Sequence, residues 1–220
     1  SIFPSTALAA RLEVAIGGGW KARAAILDGV PGDPDRPGRT TVRLGKSDGA
    51  LLVGEVETPL AGGKLLLGHW RYTANFDRND GTGTGNGNAG SYARAELPLI
   101  DQGTRQLNVF GRVGIASGRF NMFDRFASTG LKFTGWIPGR KDDEFGLVLA
   151  AGLTSASYRA ATGVGRSEVA MEATYRAPVA PWLTLQPNIH YIRRPSADPA
   201  IADAIVLGIR AETSFSLLGF

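Results

Sequence analysis

His69 and His190 are the only histidines in the 220-residue chain, and cysteine is absent. Neither histidine has a serine and an aspartate at a spacing that reads as a catalytic triad, and no Gly-x-Ser-x-Gly elbow occurs. Two imidazoles without thiolates argue against a transition-metal site. Asp142-Asp143-Glu144 reads as a solvated turn rather than a calcium loop. The larger chemical resource is charge at alternate positions: Arg11, Glu13, Lys21, Arg23, Glu55, Glu57, Arg71, Arg94, Glu96, Arg112, Lys132, Glu168, Glu172, Arg176, Arg210 and Glu212. Arginine and glutamate mixed on one wall offer donors and acceptors to a hydroxyl-rich solute, and Trp70, Trp136 or Trp182 could stack on a flat ring face. The commoner role of such charges is to pair with each other across neighbouring strands.

Charges at every second residue need strands to present them. In Glu168 to Arg176 the even positions are polar or small, whereas the odd ones are Val169, Met171, Ala173 and Tyr175. The same alternation runs through Gln106 to Ala116 and through Ala204 to Phe215. Further segments lie near 6–16, 19–28, 50–58, 63–75, 90–100, 126–137, 143–157 and 182–193, giving about eleven strands. Several exceed the mean soluble strand of about 5 to 6 residues and match the roughly 9 to 11 that a tilted strand needs to cross a membrane. On this pattern His69 and His190 both fall on the charged face. Trp20, Tyr175 and Tyr191 near strand ends suit the aromatic belt of a membrane interface.

Composition agrees with an all-β fold. Thirty Gly against two Met suits strands and turns better than helices. Mean hydropathy is -0.05, and no run of about 18 apolar residues is present to form a membrane helix, although a membrane barrel has this same average. The net charge of +4 is dispersed among carboxylates, and no aromatic-basic motif marks a nucleic-acid surface. Ser1 to Ala10 has no signal-peptide pattern, so a removed leader or absent upstream sequence is expected.

The connections alternate short and long: 17–18, 29–49, 59–62, 76–89, 101–104, 118–125, 138–142, 158–165, 178–181 and 194–203. Membrane barrels have short turns on the periplasmic rim, such as Pro138-Gly139-Arg140 here, and longer loops outside. The Gly-rich stretch Asp80 to Asn88 reads as a mobile external loop. Eleven strands would be odd where bacterial barrels are even, so upstream strands are expected to be missing, unless Thr40 to Gly45 supplies a twelfth.

Several pieces, in this order, resemble the carbohydrate-selective porins of the OprB type, over nearly the whole chain and matching that family's carboxyl-terminal half. They are Phe3-Pro4-Ser5-Thr6-Ala7, Asp28-Gly29-Val30-Pro31-Gly32-Asp33-Pro34, Gly54-Glu55-Val56, Gly68-His69-Trp70-Arg71-Tyr72-Thr73 and Phe110-Gly111-Arg112-Val113-Gly114. Further on stand Gly130-Leu131, Gly135-Trp136-Ile137-Pro138-Gly139-Arg140-Lys141-Asp142-Asp143, Glu168, Glu172, Tyr175, Pro181-Trp182-Leu183-Thr184-Leu185-Gln186-Pro187-Asn188 and Ala204-Ile205-Val206-Leu207-Gly208-Ile209-Arg210.

The resemblance implies an antiparallel transmembrane β-barrel of about sixteen strands, of which 1–220 would supply eleven or twelve as a single region. It also implies passive uptake of small sugars such as glucose through the outer membrane of a Gram-negative bacterium. Expected partners are outer-membrane lipid and the barrel assembly machinery, which would read Phe215 or Phe220 as the aromatic end of its signal. No cofactor, metal, nucleic acid or enzymatic step is expected. The path residues expected from parity are Arg112 and Arg210 foremost, with Arg71, Arg94, Glu96, Glu168, Glu172, Arg176, Glu212, Glu55, Lys132 and Trp136. The competing readings are a porin for other solutes, general or selective for an organic anion or amino acid, a soluble β adhesin module, and an outer-membrane lipid enzyme.

Overall fold

The computed structural model describes residues 8–29 and 49–214. The alternating segments pair as a single antiparallel meander. Its strands are β1 (Ala9–Gly17), β2 (Trp20–Asp28), β3 (Ala50–Leu60), β4 (Gly63–Tyr72), β7 (Ala89–Gln102), β8 (Arg105–Ala116), β9 (Phe123–Thr134), β10 (Glu144–Thr154), β11 (Ser167–Ala180), β12 (Leu183–Arg193) and β13 (Ala204–Thr213). Each pairs with the next in this order, forming an 11-stranded sheet whose edges are β1 and β13. A separate hairpin, β5 (Phe76–Asp77) with β6 (Thr84–Gly85), sits in the connection from β4 to β7. Every expected segment coincides with a strand to within a few residues, while the Thr40 to Gly45 segment and Phe215 to Phe220 lie outside the described residues.

Two corrections concern the connections. β9 begins at Phe123, because Phe123 pairs with Thr154 and Arg125 with both Ile115 and Leu153. The link before it (117–122) is therefore shorter than the one after it (135–143), and the strict alternation of lengths fails there. The longer turn folds on itself: Gly135 leaves the strand at φ 71, Ile137 bridges Arg140, and Asp143 takes hydrogen bonds from Arg140 and Tyr175. Residues 136–142 are exposed, as a solvated turn requires, but Asp143 is 5% exposed and so departs from that reading. The second correction is a helix, α1 (Ala156–Thr162), where only loop was expected. The Ser155 side chain caps its start, and Gly163 at φ 75 ends it.

The long connections pack on one another. Asn79 donates to Gly118 O at 3.0 Å and Asn121 O at 2.9 Å, Asn121 donates to Asn88 Oδ1 at 2.8 Å, and Ser157 donates to Gly118 O at 2.5 Å. The Gly-rich stretch expected to be mobile is thus tethered through Asn79 and Asn88 to its neighbours.

The sheet has little core. Leu51, Leu66, Tyr72, Ala74, Ala177 and Ala197 are the buried hydrophobic residues among those described. By contrast Ile205, Leu207 and Ile209 are 68%, 75% and 72% exposed, and Leu12, Val14, Ile16, Val113, Ile115 and Met171 are exposed with them. All of these lie on one face, which register makes continuous across the sheet. An apolar surface of this extent marks a face that contacts a membrane or another protein.

Candidate functional site

The opposite face carries the charge, and neighbouring strands pair it. Glu13 accepts from Arg11 at 2.6 Å and from Arg23 at 2.7 Å, and Arg23 also reaches Glu57 at 2.9 Å, linking β1, β2 and β3. Tyr92 donates to Glu55 at 2.5 Å, while Glu96 lies 3.1 Å from Lys64 and 3.3 Å from Arg94. Lys132 meets Glu144 at 3.0 Å, Glu172 lies 3.7 Å from His190, and Arg210 lies 3.9 Å from Glu212. Glu168 instead accepts the backbone N–H of Ser196 at 2.6 Å, drawing the link between β12 and β13 onto this face.

Arg112 makes no ion pair among the described residues. Its guanidinium lies 5.0 Å from the Phe110 ring centroid, and its cross-strand neighbours are Arg94 on β7 and Ser128 on β9. Two arginines facing each other cannot satisfy one another, and with Arg94 already beside Glu96 it is the Arg112 donors that remain available to an acceptor from outside. Both arginines border a concavity of about 540 Å³ lined also by Trp70, Tyr92, Asp124 and Phe126, a volume typical of small-molecule sites.

Register places Arg94, Glu96, Arg112, Lys132, Glu168, Glu172, Arg176, Arg210, Glu212 and Glu55 on this one face, joined by His190. Three expected members, Arg71, His69 and Trp136, do not belong to it. Arg71 pairs with Leu52 and Ala89, on the apolar face, and His69 lies beside it with Nδ1 2.9 Å from Ser91 Oγ. On β4 the charged face instead receives Lys64, Leu66, Gly68, Trp70 and Tyr72, so polarity misleads there and leucines on both faces erase the parity. Trp136 stands beyond β9, donating to Gln106 O at 2.9 Å, with its ring edge-on to Phe133 of the apolar face at 5.6 Å. Trp182, 50% exposed, occupies the turn between β11 and β12 on the same rim. Parity overlooked Lys64, Glu144 and Tyr92. The first two begin their strands, and an aromatic residue does not announce a polar face.

No cluster of three or more possible metal ligands occurs among the described residues. The model for the family described as "Carbohydrate-selective porin, OprB family" matches residues 1–215. The chain belongs to this family. As an OprB-family chain it is an outer-membrane protein of a Gram-negative bacterium, and its sheet is a section of an antiparallel transmembrane β-barrel. A solved high-pH structure of Pseudomonas putida OprB has TM-score 0.79 at 21% identity, covering 94% of this chain and 58% of that one. Porin B of Pseudomonas aeruginosa is 24% identical over 130 residues, covering 51% of this chain and 29% of that protein. The chain therefore spans less than two thirds of either relative. In an OprB-type barrel the charged face is the lumen and the apolar face meets lipid. In such barrels short turns generally form the periplasmic rim and longer loops the outer one.

Proposed function

We propose that this chain forms part of the wall of a pore that passes small neutral carbohydrates, such as glucose, by diffusion, with Arg94 and Arg112 as the main solute contacts. The observation that carries the reading is the pairing of lumen charges around an unpaired Arg112. Most cations on the wall have a carboxylate partner, so the lumen has little net field to favour an ion of either sign. Arg112 keeps free donors beside Phe110, and Trp70 and Tyr92 border the same concavity. Hydroxyl groups accept such donors without needing a full opposite charge. Arg210, with a carboxylate 3.9 Å away, is a second contact nearer the periplasm, and Arg176 a third. Binding must stay weak for flux, because solute has to leave as readily as it enters. No catalytic step is assigned to His190, whose neighbours Glu172 and Asn188 make a structural contact.

Open edges cannot persist in a bilayer, since unpaired backbone groups have no water to meet them. In this reading the edges β1 and β13 are closed by further strands, residues 1–220 form one barrel region, and the assembly machinery inserts the whole. The test is single-channel current in planar bilayers. Glucose added to the wild-type pore should reduce the ion current in a saturable way, and Arg112→Ala should weaken that block by about tenfold, the loss of one or two charge-assisted hydrogen bonds. An unchanged block in Arg112→Ala would remove the arginine from the path.

A further inference from the structure

The lipid-facing side carries an asymmetry that sugar conduction does not explain. Near the short turns this face has an aromatic row in which Phe133 pairs with Phe145 and Phe145 with Tyr175, extended by Trp136 against Phe133. Near the long connections it has bases instead. His69, Ser91, Ile115, Arg125 and Leu153 form one row across β4, β7, β8, β9 and β10. Arg71 stands one pair closer to the loops on β4, and Arg193 ends β12 on the same face, opposite Val169. All four basic side chains are exposed. The Arg125 side chain is 69% exposed, with Asp124 no closer than 4.0 Å. Of the carboxylates at this rim, Asp28 on β2 is buried at 6%, whereas Asp203 accepts from Tyr191 at 2.5 Å and lies beside Arg193.

Directly below Arg125 lies a shallow concavity of about 420 Å³ on the same face. Its floor is made of small residues, Ala93, Ala95, Gly111, Ala127 and Ala151, with Leu149 at one side. A Cβ added at Gly111 would meet nothing within 4 Å, so the space is open. A guanidinium held in hydrocarbon is costly, about 2 to 4 kcal/mol at the midplane and near zero at the interface, which sets this row at headgroup height.

We propose that Arg125 binds a phosphate of a lipid in the outer leaflet whose acyl chain lies in the groove over Gly111, with Arg71 beside His69 making a separate phosphate contact on β4. Arginine presents paired donors that match phosphate oxygens. Arg71 and Arg125 are three strands apart, about 14 Å at the usual strand spacing, so they hold separate headgroups. A groove lined by apolar small residues selects a ligand with a chain, which distinguishes lipid from free phosphate. The inference rests on the outer-membrane placement and is independent of which solute the lumen passes.

Native mass spectrometry of the folded barrel in detergent tests it, with bisphosphorylated lipid A and its dephosphorylated counterpart as probes. Wild type should retain the phosphorylated form several-fold better. Arg125→Gln should lower that retention about fivefold, the usual effect of one basic residue at a charged membrane surface. Lys64→Gln, which removes a charge from the lumen face, should leave it unchanged. Gly111→Leu, which enters the groove from a position where an added Cβ meets nothing within 4 Å, should lower retention of both probes. Equal retention of the two lipids by wild type would overturn the proposal without needing any variant. Equal effects of Arg125→Gln and Lys64→Gln would overturn it too, whereas liposome swelling by sugars would be unaffected by Arg125→Gln whichever way the lipids behave.

Discussion

Ion pairs on the lumen wall are mostly half-exposed, and such pairs contribute about 0 to 1 kcal/mol each. Their importance is electrostatic. Glu13, Arg23 and Glu57 cancel charge along the wall, and the unpaired Arg112 marks where the wall can still donate. Asp143 at the periplasmic turn is different, because it is buried. The Arg140 guanidinium, with help from the Tyr175 hydroxyl, holds its carboxyl below the usual carboxylate range. A carboxyl with a depressed folded value stabilises the fold above its unfolded value of about 4 and loses that contribution as pH falls through the folded value. Asp143→Asn should lower unfolding free energy by about 1 to 3 kcal/mol at neutral pH. It should also flatten the acid side of the profile, read as the heat-modified gel shift between pH 6 and pH 3. A variant with the wild-type acid profile would show that the turn does not depend on this charge.

Elements were the most legible level in the sequence. Alternation located all eleven strands of the sheet because each must present one face to lipid and one to water. The face was harder to read wherever both faces carry similar residues, as with Leu65, Leu66 and Leu67 on β4, and there Arg71 and His69 were placed on the wrong side. Connections were the least legible, since α1 depends on a local cap at Ser155 and the tether at Asn79 depends on three loops meeting. Gly68 was invisible as a packing residue. A Cβ there would stand 2.2 Å from the Tyr92 ring, and that ring delivers its hydroxyl to Glu55. Gly68→Ala should displace Tyr92, cost about 1 to 3 kcal/mol as an overpacked contact, and alter conductance through the freed Glu55. Unaltered conductance and unfolding would mean the ring moves aside freely.

At the scale of the molecule, a sheet with one apolar and one charged face has to be two-sided in its surroundings. The four tryptophans report this directly. Trp20, Trp136 and Trp182 stand exposed near the short turns, whereas Trp70 lies on the lumen face edge-on to Tyr72 at 5.9 Å. In liposomes, brominated acyl chains should quench single-tryptophan proteins retaining Trp20, Trp136 or Trp182 several-fold more than one retaining Trp70. Equal quenching of Trp70 would reverse the assignment of the faces. The match of the family model over residues 1–215 places this two-sided wall within an OprB-family barrel, and the fold agrees.

The measurement that tests the proposed sugar path most directly is liposome swelling with the folded protein, comparing glucose with an amino acid and a dicarboxylate of similar size. Faster entry of glucose than of either charged solute is the predicted result. Equal rates for all three would contradict carbohydrate selectivity and leave a general diffusion pore.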